Sequence, residues 1–273
     1  MTWKRLLRHR LGMIGAAVIL FNIFLASLGP WIATHDPVKI DIAHRTLPPS
    51  KTFFFGTDDY GRDIFSRVIY GTQISLYISF LSVLVATVFG VFIGAIAGYY
   101  GKWVDNIIMR CMDAVMSFPA ILLALGIMAV RGGNLYNVII ALGFVYIPRF
   151  ARIVRGSVLS LKEKEFVEAS LAMGNTDLVI IFRHILPNCM APLIIQATVS
   201  LAYAILAEAA LSFLGLGAPP PAPSWGNILS DARNFMLDAP WMTVFPGVAI
   251  TFAVLGFNVF GDALRDVLDP RLK

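Results

Sequence analysis

The chain has 273 residues, of which 58% are hydrophobic and 14% charged, with a mean hydropathy of +0.74 and a formal net charge of +5. A soluble domain carries roughly 25% charged residues, so this composition excludes an ordinary water-soluble protein. It predicts an all-α polytopic membrane protein, because lipid leaves the backbone no partners outside a helix or a closed barrel. Six stretches lack Asp, Glu, Lys and Arg: 11–34, 68–101, 114–130, 132–148, 185–207 and 239–261. Each reaches or approaches the ~20 residues that cross ~30 Å of hydrocarbon, which predicts six transmembrane helices in a single membrane domain, 1–273.

Residues 1–34 join a basic tail, MTWKRLLRHR, to the first span. That apolar run exceeds the ~7–15 residues of a secretory signal core and no A-x-A site follows, so an uncleaved anchor is expected. The segment 35–72 is rich in Pro, Gly and Asp and predicts an extracytoplasmic stretch. Within it Ile64, Phe65, Val68 and Ile69 recur at helical spacing, which predicts an interfacial helix over 58–70. The remaining five spans lie in 73–273. The second, near 76–99, carries Gly90, Gly94 and Gly98 on one face, the pattern of close helix packing in membranes. A short inner connection, 102–113, leads to the third span, and RGGN at 131–134 closes the third and fourth into a tight hairpin.

The fifth span, about 189–214, carries Glu208 at its outer end. An ionisable group at membrane depth is costly unless it is paired or faces water. Glu208 is therefore a candidate pathway or interface residue, or else a cap on a neighbouring helix. A proline run that cannot be helical follows, then a short amphipathic helix over 224–236 expected on the membrane surface. The last span, 239–261, ends in a short polar tail.

With the N-terminus inside, fifteen of the 22 Lys and Arg residues fall in cytoplasmic segments, and the seven outer ones are matched by seven Asp. This bias places both termini in the cytoplasm. The basic pI of 9.3 is thus a topology signal and implies no nucleic-acid partner. Cys111 and Cys189 fall near cytoplasmic span ends, where thiols stay reduced. His9, His35, His44 and His184 show no ligand spacing, so no metal site is expected.

The largest inner loop, 149–187, contains EFVEASLAMGNTDLVIIFRHILPN at 165–188. Leu161 to Met173 reads as one helix, with Lys164 and Glu168 as an i,i+4 pair, Phe166 and Met173 seven apart, and Val167 and Leu171 four apart. Gly174-Asn175 supplies a left-handed stop. Thr176 or Asp177 can cap a second short helix, which Pro187 ends. The hairpin, about 160–187, carries an apolar stripe too large for a small loop to bury, which predicts docking against another protein.

These residues resemble a family. The pattern E-A-A-x3-G-x9-I-x-L-P marks the permease subunits of bacterial ATP-binding-cassette importers, and Glu168, Ala169, Gly174, Leu186 and Pro187 are in register with it. The chain departs at Ser170 and His184, where the pattern has Ala and Ile. The blocks GTDDYGRDIFSRVIYGTQISL at 56–76, ILAEAALSFLGLG at 205–217 and GDALRDVLDPR at 261–271 are similar to the C-type permease of dipeptide, oligopeptide and nickel importers.

The resemblance implies a type I importer permease fold in the bacterial cytoplasmic (inner) membrane. It also implies a second homologous permease, two ATP-binding-cassette ATPase subunits, an extracytoplasmic solute-binding protein and surrounding membrane lipid as partners. This chain would bind no cofactor, with ATP and Mg used by the ATPases. Phe166, Val167, Glu168, Ala169, Leu171, Gly174 and Asp177 would form the ATPase-coupling hairpin. Gly56, Thr57, Asp58, Gly61, Arg62 and Asp63 would form an extracytoplasmic motif. The implied function is peptide import by alternating access, with nickel or metal-chelate import as the alternative.

No enzyme motif is present. A phosphate loop needs G-x4-G-K-[ST]. In the nearest stretch, GYYGKW at 98–103, Lys102 is followed by Trp and Ile96 stands where the first Gly belongs. Arg149, Arg152 and Arg155 read as a basic patch that fixes topology and contacts lipid head groups. An ion-coupled secondary transporter using Glu208, or a non-transporting scaffold, are the readings from other classes.

Overall fold

The computed structural model describes residues 9–268, which form nine helices of eight or more residues and short 3-10 turns at Ile42–His44 and Arg233–Phe235. They are α1 (Arg10–Ile32), α2 (Ile64–Tyr100), α3 (Lys102–Met116), α4 (Ala120–Arg131) and α5 (Leu135–Leu161), followed by α6 (Glu165–Ala172), α7 (Asp177–Phe213), α8 (Trp225–Ala232) and α9 (Trp241–Leu268). The described residues contain no strand beyond an isolated bridge between Thr57 and Asp63. Five helices are long and apolar enough to span a membrane. The bent pair α3–α4 makes a sixth if it counts as one span. The tail residues 1–8 and the end of the last block, 269–273, lie outside the described residues.

Several boundaries differ from those expected. The third span begins only at Ala120. α4 has 12 residues, about 18 Å at 1.5 Å per residue, and the connection 102–113 is itself the amphipathic helix α3. The chain turns through 87° between them, at Ser117-Phe118-Pro119, where the proline pushes the residue before it out of the helical region. The separate interfacial helix over 58–70 does not form. Helix α2 starts at Ile64, capped by Asp63, whose carboxylate accepts the Ser66 N–H at 2.9 Å, and runs unbroken to Tyr100. Ile64, Val68 and Ile69 are buried in the protein, not laid on lipid. The fourth span continues through Pro148 to Leu161, and the last helix continues past Gly261 to Leu268.

The expected surface helix at 224–236 shortens to α8 and folds inward. Ser224 caps it, and Trp225 is fully buried with its indole N–H donating to the Val68 carbonyl at 3.1 Å. Gly226 makes this possible, because a Cβ there would lie 2.4 Å from the Ala209 carbonyl oxygen.

Two cores result. Near the start of α2, Ile64 and Val68 pack with Ile205, Trp225, Ile228 and Met242. Along the rest of α2, Ile78 and Val83 pack with Leu142, Phe150, Val158, Ile180 and Ile185. The glycine face of α2 seats α5. A Cβ at Gly90 would stand 2.4 Å from the Phe150 Cβ, one at Gly94 2.3 Å from the Ala151 carbonyl, and one at Gly98 2.8 Å from the Val158 Cβ. The expected packing face is therefore a backbone-to-backbone seam.

Candidate functional site

The 161–189 hairpin joins two spanning helices without a flexible link. Helix α5 ends at Leu161, the chain turns at 162–164, and α6 begins at Glu165, four residues later than expected. Among the described residues Lys164 and Glu168 form no ion pair, because Lys164 sits outside the helix in extended backbone as its N-cap.

α6 stops as its sequence predicts. Gly174 has φ +77°, its N–H donates to the Leu171 carbonyl at 2.9 Å, and the Asn175 N–H donates to the Ser170 carbonyl at 3.3 Å. These two bonds are those of a Schellman motif. Ser170, where the importer pattern has Ala, is fully buried, and its Oγ accepts from the Asn175 amide at 3.0 Å. The departure from the pattern thus adds a side-chain bond to the turn.

The second arm departs further from expectation. Neither Thr176 nor Asp177 makes a side-chain capping bond. The chain enters helix at Asp177, widens to a π-turn over Ile180–Ile185, tightens to a 3-10 turn over Leu186–Cys189 and continues into the spanning part of α7. Pro187 does not end the helix. It lacks the N–H that a regular helix would use, and the π-to-3-10 change shifts the hydrogen-bond register around it.

The expected coupling residues divide into two sets. Val167 is 1% exposed and packs in the core with Val158, Ile180 and Ile185, so it points into its own chain. Asp177 accepts the Tyr99 hydroxyl at 2.8 Å. Phe166, Glu168, Ala169 and Leu171 are exposed, and Met173 joins them at 72% exposure. Phe166, Ala169 and Met173 fall at i, i+3 and i+7 on one bare apolar stripe.

The hairpin base is clamped on several sides. Lys162 donates to the Gly98 carbonyl at 3.3 Å, so the end of α2 holds one arm through Gly98 and the other through Tyr99. Arg155 makes a two-pronged pair with Asp105 on α3, and Arg152 reaches Asp113 at 2.7 Å. The expected free basic patch is thus largely spent within the fold. Only Arg149 lacks a carboxylate among the described residues, and its guanidinium lies 5.6 Å from each of the Tyr146 and Tyr203 ring centres. Sequence reasoning had no means to find Tyr99, Lys162, Asp105 or Asp113, whose partners are 39 or more positions away.

At the opposite end, the motif residues 56–63 build a structural knot. Gly56 and Gly61 have φ +76° and +74°, and a Cβ at Gly61 would overlap the Asp41 backbone. The Thr57 hydroxyl donates to the His44 carbonyl at 2.5 Å and accepts from the Leu47 N–H. Asp58 accepts from Arg62 at 2.6 Å, and Arg62 and Arg67 both reach Asp231 in the last turn of α8. Asp63 takes bonds from Ser66 and Thr34. Burial, and then the Asp58 charge, push the neighbouring Asp59 carboxyl up from its ordinary value.

Glu208 is fully buried inside the chain. Its Oε1 accepts the Ser212 hydroxyl at 2.7 Å, and the Ser75 and Ser224 hydroxyls border the same carboxyl. Its side chain reaches no open surface of this chain.

Comparison with known proteins places this architecture. Residues 90–273 match the family described as "Binding-protein-dependent transport system inner membrane component", and residues 1–49 match the "N-terminal TM domain of oligopeptide transport permease C". The chain is 47% identical over 271 residues to a dipeptide transport system permease protein of Alkalihalophilus pseudofirmus, covering 99% of this chain and 89% of that one. It is 44% identical over 280 residues to a glutathione transport system permease protein of Escherichia coli, covering 99% and 90%. A chain of the inward-facing MetNI methionine ABC transporter superposes with a TM-score of 0.61 at 22% identity, over 76% of this chain and 98% of that chain, and shares its fold. The chain is a multi-pass protein of the bacterial inner membrane and belongs to the family of binding-protein-dependent transport system inner membrane components.

Proposed function

We propose that this chain is the C-type permease subunit of an ATP-driven importer of dipeptides or oligopeptides, and that α6 is the element through which separate ATPase subunits drive it. The names of the relatives support the peptide substrate. The observation that carries the coupling reading is the split of α6. Val167 and Ser170 anchor it inward, while Phe166, Ala169 and Met173 stand bare on a helix that is clamped at its base. An apolar stripe held in this way is suited to a cleft on a partner protein.

In this reading a second homologous permease completes the pathway, a solute-binding protein delivers peptide at the outer face, and ATP with Mg is bound and hydrolysed only by the two partner ATPases. Phe166, Glu168, Ala169, Leu171 and Met173 contact the ATPase. Val167, Gly174 and Asp177 fix the angle of α6. Because α6 sits between α5 and α7 with no soft linker, closure of the ATPases would move both spanning helices as a unit, which is what alternating access requires. The secondary-transporter reading rests on Glu208, which is fully buried in this chain and bonded to Ser212, and so has less support than the importer reading.

The test is peptide uptake and ATPase activity of the reconstituted transporter with Phe166→Ser and Met173→Ser introduced together. Loss of ATPase co-purification with the permease pair intact is the expected result. Retained ATPase binding and normal uptake would refute the docking role of this stripe.

A further inference from the structure

Three arginines follow one another along α5 at 149, 152 and 155. Two have aspartates waiting on α3, and the third has none among the described residues. Arg149 lies fourteen residues from Leu135, the first residue of α5. At 1.5 Å per residue this is about 21 Å down a helix that crosses ~30 Å of hydrocarbon. A lone guanidinium at that depth is costly against lipid tails. The face of α5 that carries it is therefore expected to meet water or a polar ligand.

That face borders a cavity of about 210 Å³ lined by Leu142, Val145, Tyr146, Arg149, Tyr203 and Leu206 together with the start of α4. The α3–α4 elbow makes this space, because α4 begins at Ala120, level with Arg149, and leaves the inner part of the span to a helix turned away by 87°. Tyr146 and Tyr203 hold the guanidinium from α5 and α7. Their rings attract its charge electrostatically while leaving its N–H groups unspent. A planar donor fork of this kind, walled by apolar side chains, suits a carboxylate. The cavity is smaller than the ~300–1,000 Å³ that encloses a drug-sized ligand. It would hold one end of a substrate, the rest lying toward the second permease.

We propose that Arg149, framed by Tyr146 and Tyr203, is an intramembrane binding site for the carboxylate of the transported peptide. This rests on the peptide-importer reading. The other source of an anion at this depth is a phospholipid phosphate, which a long arginine side chain could reach by snorkelling.

The test uses the complete detergent-purified transporter without nucleotide or binding protein, so that substrate selection by the binding protein does not enter. Saturation-transfer NMR is recorded with alanyl-alanine and with its C-terminal amide, for the native protein, Arg149→Gln and Arg149→Lys. The native protein is expected to prefer the acid. The glutamine variant should lose that preference by roughly tenfold or more, and the lysine variant should retain part of it, since a point charge lacks the fork. Subunit co-purification verifies assembly, and the lysine variant keeps the test open if glutamine prevents it. An unchanged acid-over-amide preference in either variant, as a lipid-bound Arg149 would give, overturns the proposal, as does absence of any acid preference in the native protein. Peptide uptake by the native transporter is measured alongside. Uptake with an unchanged preference sinks only the Arg149 site, whereas absence of peptide uptake sinks the importer reading itself.

Discussion

Replacing Gly174 probes the α6 stop in isolation from packing. Its φ is +77°, and a Cβ there would meet nothing within 4 Å. The whole cost of Gly174→Ala is therefore backbone strain, about 1–2 kcal/mol for an L-residue in the left-handed region. That corresponds to a shift of roughly 5- to 30-fold in the ratio of closed to frayed turn. Asn tolerates this conformation better than Ala, and a β-branched residue worse. The expected order of impairment is accordingly Asn, then Ala, then Val. The assay is hydrogen exchange at the Gly174 and Asn175 amides, whose acceptors are the Leu171 and Ser170 carbonyls, read beside peptide-stimulated ATP hydrolysis in the reconstituted complex. Equal protection in Gly174→Ala and the native protein, or Asn impaired as much as Val, would refute the reasoning.

Gly94→Ala places a methyl 2.3 Å from the Ala151 carbonyl; overpacking of this kind costs about 1–3 kcal/mol, and thermal unfolding in detergent should fall accordingly, while Gly156→Ala, with open space around it, should not lower it by overpacking. Arg67→Met removes a guanidinium that is 3% exposed and bridges Asp58 and Asp231; Arg62 still pairs with both aspartates, so the loss stays below the ~3–5 kcal/mol of a buried charge left without a partner and is read as faster proteolysis of the 35–63 segment. Asp59, outside the spans, has its carboxyl raised by burial. The folded state thus holds its proton more tightly than the unfolded chain, and its contribution to stability is present at low pH and lost as pH rises through the raised value. Asp59→Asn should therefore flatten the decline in unfolding temperature as pH rises from the ordinary carboxylate value through the raised one, and identical pH slopes for the two proteins would contradict this.

The local signals were legible where one residue's backbone or size decided the outcome. The Gly90, Gly94 and Gly98 seam and the Gly174 stop are of that kind. Asp63 as the cap of α2 is local too, but the hydropathy cut at Arg67 hid it. Arg67 looks like a span boundary in sequence, and it lies inside the helix because Asp58 and Asp231, the latter 164 positions away, neutralise it. Pro187 reads as a helix end by local rules, yet the π-turn ahead of it carries α7 through, and α5 runs past the charge of Arg149, where its uncharged stretch stops, because it packs on the α2 glycine seam. The inward fold of α8 depends on Gly226 and on the Trp225 bond to Val68, contacts that no periodicity announces. Glu208 reads in sequence as a costly group at membrane depth. Three serine hydroxyls from α2, α7 and the α8 cap, together with its burial, give it a structural place that hydropathy alone could not distinguish from a pathway site.

The most direct test of the account is photo-crosslinking from position 169, with a benzophenone amino acid in place of Ala169 on the exposed stripe of α6, in native membranes. The account predicts adducts to a nucleotide-binding ATPase subunit whose yield changes when nucleotide is added. Adducts confined to lipid, or a chain that purifies without any ATPase, would contradict it.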